Sequence, residues 1–204
     1  MVALWNPDTV SKAAAEPAAP TLSDRRIAFS FDDAPRDKGA FLEPDERPRL
    51  LIEALQTAGI KQAVFFVNPG RITAHDNDAA DIAAYAGAGH LLANHTAHHL
   101  KLSAVSADRF LADIDAAETW LKDQPNHRPW FRFPFLDEGQ KDRAKRDAVR
   151  VGLKKRGLMN AYVTVDASDW YMEDQAIAAA AAGRLMDWNA LRGLYVESYL
   201  QSAR

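Results

Sequence analysis

The sequence contains no cysteine, which excludes disulfide bonds, thiolate zinc sites and cysteine nucleophiles. It also lacks any apolar run approaching the roughly 20 residues that a membrane-spanning helix requires. Basic residues are not in excess, since 25 Lys and Arg stand against 28 Asp and Glu and the formal net charge is −3. We therefore expect no membrane span and no nucleic-acid partner, because nucleic-acid binding depends on a strongly basic surface.

The composition is that of a folded protein. Of the 204 residues 48% are hydrophobic, which is enough for a real core and excludes wholesale disorder. Residues 1–24 include an Ala- and Pro-rich stretch and are predicted to be a flexible leader, whereas residues 25–204 are predicted to be one domain. The first residues, MVALWNPD, have neither the basic nor the apolar region of an intact signal peptide.

Short apolar runs alternate with helical patterns along the chain. The predicted strands are Ile27–Phe31, Ala63–Val67, Leu91–Ala93, Trp130–Phe135 and Leu158–Val165. The predicted helices are Pro48–Ala58, Asp78–Ala88, Ser106–Lys122, Lys141–Arg156 and Asp174–Arg192, the last with a weak point at Gly183. This alternation predicts an α/β fold in which parallel strands are joined by helical crossovers.

Polar residues lie at the ends of the predicted strands. Active sites of such folds form where the strands end, so this placement indicates a site there. The residues concerned are Asp32, Asp33, Asn68, His95, Arg132, Asp166 and Asp169.

Two of these side chains, Asp33 and His95, have with His99 the chemistry of a metal site. His95 and His99 stand four residues apart, and on one helical turn both rings would point to the same spot. With Asp33 they make an oxygen and two nitrogens, a set that suits zinc or another first-row divalent ion. Spacing alone does not choose between His98 and His99. Alternatively, Asp32 and Asp33 only cap a turn or a helix.

Arg132 lies in the aromatic segment WFRFPF. Strand alternation places Phe131, Phe133 and Phe135 on one face and Arg132 on the other. A buried arginine needs a carboxylate partner, and Asp32 and Asp166 are the candidates. Alternatively, the segment is an edge strand with Arg132 in solvent, which Pro134 would allow. Alternatively, Asp166 and Asp169, the two acids of the segment DASDW, belong to a capped turn.

Taken in order, these segments resemble the polysaccharide deacetylases with the NodB homology domain, carbohydrate esterase family 4, from about Arg26 to Trp170. The family's T-F-D-D-G-P, H-[ST]-x-x-x-H, R-x-P-Y and D-x-x-D-W motifs correspond to Ser30–Pro35, His95–His99, Arg132–Phe135 and Asp166–Trp170. The resemblance implies an irregular (β/α) barrel of the polysaccharide deacetylase type and a divalent metal, usually zinc, held by Asp33, His95 and His99.

The resemblance also implies roles for other residues. Asp32 would be the general base that takes a proton from the attacking water, oriented by Arg132. Asp169 would tune a catalytic histidine acid, and the substrate would contact Pro134, Phe135 and Trp170. The substrate would be an N-acetylated (or O-acetylated) glycan such as a chitin-like polymer, peptidoglycan or acetylxylan. The family suggests a periplasmic or extracellular location.

Three departures from the family pattern affect this interpretation. Ala34 replaces a glycine and Phe135 replaces a tyrosine, and no histidine follows His127 to supply the L-x-H acid. The barrel is therefore expected to be incomplete at its C-terminus, by truncation or with Leu194–Leu200 as an abbreviated closure. Two alternatives follow: an impaired domain that binds metal and glycan, and a structural α/β domain whose acids are only caps.

Overall fold

A computed structural model describes residues 27–72 and 78–204, and the predicted leader at residues 1–24 lies outside them. Five parallel strands form one sheet, and each strand pairs with the next along the chain. They are β1 (Ser30–Ala34), β2 (Val64–Val67), β3 (Leu91–Asn94), β4 (His127–Phe131) and β5 (Met159–Asn160). The predicted α/β class and the parallel direction of the strands are confirmed.

Six α-helices accompany the strands in the described part of the chain. They are α1 (Glu46–Thr57), α2 (Asp78–Gly87), α3 (Ala107–Leu121), α4 (Arg143–Lys155), α5 (Asp169–Ala181) and α6 (Trp188–Ser202). The predicted cap at Ser106 is present, because its side chain accepts a hydrogen bond from the Arg109 amide. None of these helices is long and apolar enough to cross a membrane.

The core lies between the sheet and α1 to α4. Phe65, Leu92 and Phe131 come from three neighbouring strands and are fully or almost fully buried. Phe65 stacks between Phe31 of β1 and Tyr85 of α2. Burial of these large side chains fixes the strands in register, and the polar residues that follow them therefore meet at one edge of the sheet.

Three predicted strands have different bounds. The first begins later and includes both aspartates, because the pairing of β1 continues past them to Ala34 after a register shift. The fourth begins at His127 and ends at Phe131, since the chain turns at Pro134, which has no amide hydrogen to donate. The fifth is two residues long rather than eight.

The predicted C-terminal helix is two helices. Gly183 has φ 62° just after α5, a conformation that glycine adopts without strain, and the chain then restarts as α6. The expected closure by Leu194–Leu200 is wrong, because this segment lies within α6 and both of its terminal leucines are exposed. Among the described residues the sheet thus has five strands, with β1 and β5 at its edges.

Candidate metal centre and its surroundings

An irregularity in β1 separates the two aspartates. The register with β2 shifts between Phe31 and Ala34, and Asp33 has φ 65°. Such a bulge re-aims the side chains at the point where it occurs. Asp32 consequently meets Arg132, whereas Asp33 meets His95 and His99.

The two histidines lie in a loop after β3 and not on a helical turn, so that part of the prediction is wrong. Thr96 and His99 both have positive φ, at 62° and 54°. Buried amides hold the loop: Asn94 Oδ1 accepts from the Thr96 amide at 2.8 Å, and Asn68 Nδ2 donates to the carbonyls of His95 (2.6 Å) and Thr96 (3.0 Å). These bonds fix where the imidazoles point.

Three ligand atoms converge at this loop. The Nε2 atoms of His95 and His99 lie 3.3 and 2.8 Å from Asp33 Oδ1, and the three candidate donor atoms all lie within 4.8 Å of one another. His95 Nδ1 lies 2.9 Å from the Arg132 carbonyl oxygen, to which it donates when the proton is on Nδ1, leaving the Nε2 lone pair free.

The residues at this point fit a divalent cation. Asp33 Oδ1 is buried and has no hydrogen-bond donor, a costly state for a carboxylate oxygen unless a cation offsets it. Burial raises the pKa of Asp33, but attraction to the imidazoles of His95 and His99 outweighs this and holds it well below the usual range. Asp33 is therefore ionised and able to act as a ligand beside the Nε2 atoms of His95 and His99.

The structure separates the roles of the two adjacent histidines. His98 Nδ1 lies 2.6 Å from Asp113 Oδ1, and the His98 side chain is 62% exposed. His99 instead faces Asp33 and is largely buried. Spacing did not choose between His98 and His99 as a ligand. The backbone turns between these two residues, so that His99 faces Asp33 and His98 faces Asp113.

Asp32 and Arg132 form an ion pair beside the three ligands. Arg132 Nη1 donates to Asp32 Oδ1 at 2.6 Å and to Ser30 Oγ at 2.8 Å, while its Nε donates to the Ala161 carbonyl at 3.0 Å. Its guanidinium lies 4.0 Å from the centre of the Phe66 ring. Of the two candidate carboxylates, Asp32 is the one that pairs with Arg132. Because Arg132 is buried, the alternative that places it in solvent is excluded.

The aromatic segment after Arg132 does not alternate as a strand. Phe131 and Phe133 are buried, but Phe135 is 61% exposed and has φ 58°. Its ring lies 4.4 Å from that of His99. Pro134 is buried in the same turn. Phe135 therefore presents an apolar face to solvent directly beside a candidate ligand.

Asp169 and Trp170 lie in the first turn of α5. Trp170 is 59% exposed, and its amide donates to Asp169 Oδ1 at 2.9 Å. Asp169 also faces α6: burial, then Tyr195 and Asp169, raise the pKa of Tyr199 above its usual value. The acid expected to tune a histidine thus has tyrosines as neighbours.

Two contacts of the site were not predicted from the sequence. Arg36 Nη1 donates to Asp33 Oδ2 at 2.9 Å, and Asp113 holds both the His98 ring and the His98 amide. Arg36 stands three residues after Asp33, a spacing that carries a weak signal in a loop. Asp113 has no local signal, because it is an acidic residue on the buried side of α3.

Solved structures with the same fold include several carbohydrate esterases. A family 4 carbohydrate esterase from Streptomyces lividans, in complex with acetate, is 22% identical with a TM-score of 0.54, and the match covers 86% of each chain. The peptidoglycan deacetylase PdaC from Bacillus subtilis is 21% identical (TM-score 0.51; 78% of this chain, 69% of that one). A family 4 pseudoenzyme from Bacillus anthracis is 17% identical (TM-score 0.54; 77% of this chain, 51% of that one).

No curated protein sequence matches the chain. The family model for polysaccharide deacetylase matches residues 19–155, a span that contains β1 to β4, both candidate metal-binding segments and Arg132. Since this span is more than half of the sequence, the chain belongs to the polysaccharide deacetylase family.

Proposed function

We propose that the protein removes acetyl groups hydrolytically from an N-acetylated (or O-acetylated) polysaccharide. One observation carries the proposal: Asp33, His95 and His99 converge on one point, beside an Asp32 carboxylate that Arg132 holds in place. Membership of the deacetylase family supports the same reaction class.

The chain's own residues supply the base and its orientation. A divalent ion, for which the oxygen and two nitrogen ligands favour zinc, would polarise the acetyl carbonyl and increase the acidity of water when bound. Asp32 takes the proton of the attacking water, and Arg132 fixes the carboxylate in the required direction. Water oxygen adds to the acetyl carbon, the bond to the sugar nitrogen (or oxygen) breaks, and that atom takes up the proton. The products are acetate and an amine (or a hydroxyl).

An exposed aromatic ring beside the site suits a sugar substrate. Phe135 and Trp170 are both more than half exposed, and Phe135 lies against His99. Flat aromatic faces bind the apolar faces of sugar rings by burying them from water. We therefore assign substrate contacts to Phe135, Trp170 and the Pro134 turn, with chitin-like polymers, peptidoglycan and acetylxylan as candidate substrates.

Acetate release tests the proposal. The zinc-loaded protein is incubated with chitooligosaccharides, peptidoglycan and acetylxylan, and acetate is measured over time. Asp32→Asn is expected to reduce the rate by roughly 10²- to 10⁴-fold, the usual contribution of a positioned base. Asp123→Asn, a change at an exposed aspartate, is the matched control and should keep the wild-type rate. Equal rates for Asp32→Asn and wild type would contradict the assigned base.

A second candidate is a deacetylase-like domain that binds metal and glycan with little or no turnover. The observations that favour it are that a similar solved structure is of a family 4 pseudoenzyme and that Asp169, the acid expected to tune a histidine, lies beside Tyr199. The same acetate assay, run beside zinc and chitooligosaccharide binding, separates the two candidates. Binding of both ligands without acetate release supports the second candidate, and release that depends on Asp32 excludes it.

We also propose that the protein acts outside the cytoplasm, where structural polysaccharides lie. Fractionation of cells that produce the full gene product tests this location. Recovery of the protein in the cytoplasmic fraction alone would contradict it.

A further inference from the structure

A chain of four charged side chains begins at the second oxygen of Asp33. Arg36 Nη1 donates to Asp33 Oδ2 at 2.9 Å, and Arg36 Nη2 donates to Glu173 Oε2 at 2.5 Å. Arg47 of α1 then donates to the other Glu173 oxygen at 3.3 Å. Glu173 lies in α5. These ion pairs therefore join Asp33, a candidate metal ligand, to a helix more than 130 residues further along the sequence.

The contact is closely packed. A Cβ atom added at Gly39 would lie 2.7 Å from both Arg47 Nη2 and Glu173 Oε1, so the backbone at Gly39 lies directly against this ion pair. The side chains of Asp33, Arg36, Arg47 and Glu173 are between 21% and 32% exposed. Partly buried charges are screened less by salt than exposed ones, so these charges act on Asp33 more strongly than a surface pair would.

Arg36 and Arg132 divide the two adjacent carboxylates between them. Arg132 pairs with Asp32 and Arg36 pairs with Asp33, so neither acid relies on a metal ion alone to offset the repulsion of the other. Because Arg36 occupies Oδ2, Asp33 presents its other oxygen, Oδ1, to His95 and His99. A divalent cation at that oxygen would experience the positive charge of Arg36 from close range.

We propose that Arg36, by pairing with Oδ2 of Asp33, leaves Oδ1 to face a metal ion, and that its positive charge weakens the affinity of the site for divalent cations. Glu173 opposes this weakening, because its negative charge lies against Arg36. The affinity of the site is thereby coupled to the placement of α5. The inference rests on the metal site of the proposed function, but not on the deacetylation step.

Zinc binding to the metal-stripped full chain, measured by calorimetry, tests the proposal. Arg36→Gln removes the charge and should bind zinc more tightly, on the order of tenfold. Glu173→Gln leaves the arginine charges unopposed and should bind about threefold more weakly. Arg36→Lys keeps the charge and should stay within about threefold of wild type. Arg49→Gln removes an arginine from an exposed pair on α1 and is the matched control.

Arg36→Gln and Glu173→Gln are expected to change the zinc affinity in opposite directions, which distinguishes an effect of charge from a loss of structure. A merely structural ion pair predicts weaker zinc binding in both Arg36→Gln and Glu173→Gln, and that result would overturn the proposal. High salt should reduce the difference between wild type and Arg36→Gln. Absence of zinc binding in wild type and Arg36→Gln would refute the metal site and this inference together. Zinc binding as expected without any acetate release would refute the deacetylase and leave the role of Arg36 intact.

Discussion

Asn68 is a buried amide that sets the direction of the loop that carries two candidate metal ligands. Its Nδ2 atom donates to the carbonyls of His95 and Thr96, and the side chain is fully buried. Without these donors two buried carbonyl oxygens would lose their partners. Each unsatisfied group costs about 1–3 kcal/mol.

Asn68→Leu, which has a similar size and no donor, should therefore lower the free energy of unfolding by about 2–4 kcal/mol. It should also weaken zinc binding, because His95 is no longer held. Denaturant unfolding and zinc titration measure the two effects. Gln62→Leu, which removes an amide donor from an exposed position, is the control and should change stability by less than about 0.5 kcal/mol. Full stability in Asn68→Leu would contradict the assigned role.

His90 makes stability depend on pH. It is buried, its Nδ1 accepts from the Ala63 amide at 3.2 Å, and burial lowers the pKa of the ring. The unfolded chain takes up a proton near pH 6.5, whereas the folded protein does so only at lower pH. His90 therefore contributes stability above pH 6.5, and this contribution is lost as the pH falls towards the folded pKa.

His90→Asn keeps an acceptor near the Nδ1 position and does not titrate. Its unfolding free energy should fall less steeply between pH 6.5 and pH 5 than that of wild type, although the variant is less stable throughout because the ring packs on Phe65. Denaturant midpoints at several pH values give the two slopes. Identical slopes would show that His90 is not the titrating group.

Residue types and spacing pointed to Asp32, Asp33 and His95, which the structure brings together, but they did not choose between His98 and His99 and did not indicate Arg36. The choice depends on a positive φ at His99, which histidine spacing does not reveal. Arg36 is part of the site because Glu173, far along the chain, holds its guanidinium. Contacts of this kind depend on tertiary structure and have no local signal.

The α5–α6 pair is attached to the rest of the molecule by few buried groups. In α5 the buried residue is Ala176, and α6 has none. Their attachment includes the Glu173 ion pairs and the contact between Trp188 and Phe41, whose ring centres lie 3.5 Å apart. Elements with few buried contacts open at low free-energy cost.

Amide hydrogen exchange should reveal this difference between helices. The amides of α5 and α6 are expected to exchange about tenfold faster than those of α3, or faster still. The reason is that α3 buries Phe110, Ile114 and Leu121 among others. Mass spectrometry of exchanged peptides measures the rates, with α3 as the internal control. Equal protection of the three helices would contradict the weak attachment.

Helices with a clear apolar stripe were predicted more accurately than short strands. Residues 106–122 match α3 closely because a stripe at helical spacing and a serine cap mark both the face and the start. By contrast, Leu158–Val165 is apolar enough for a strand, yet pairing with β4 stops after Asn160. The length of a strand depends on its neighbour, and composition does not contain that information.

For the whole molecule, a metal ion that binds only the folded state should raise stability. Zinc at 100 times its dissociation constant is expected to add about 2.7 kcal/mol, and excess chelator should remove the gain. The melting temperature with and without zinc measures this effect. His99→Ala should abolish most of the zinc-dependent increase, whereas His98→Ala, at an exposed ring paired with Asp113, should retain it. Loss of the zinc-dependent increase in His98→Ala, together with its retention in His99→Ala, would show that His98 and not His99 binds the metal.

The parallel direction of the strands was predictable from the alternation of strands and helices, whereas the order and closure of the sheet were not. Crossover connections make the strands parallel, and in this sheet each strand also pairs with the next in the chain. Leu194–Leu200 has the composition of an apolar strand, but no open position in the described sheet pairs with it and it is part of α6. Composition therefore predicts that a segment is apolar without predicting its partner.

The bonds of Arg132 have a consequence for the time course of folding. Its guanidinium joins Ser30, 102 positions earlier, to the backbone of Ala161, 29 positions later. Contacts between positions so far apart in the sequence form late in folding. During synthesis on the ribosome, Ala161 emerges only after most of the sheet has been synthesised. During refolding from denaturant, helical circular dichroism should accordingly recover before zinc binding does.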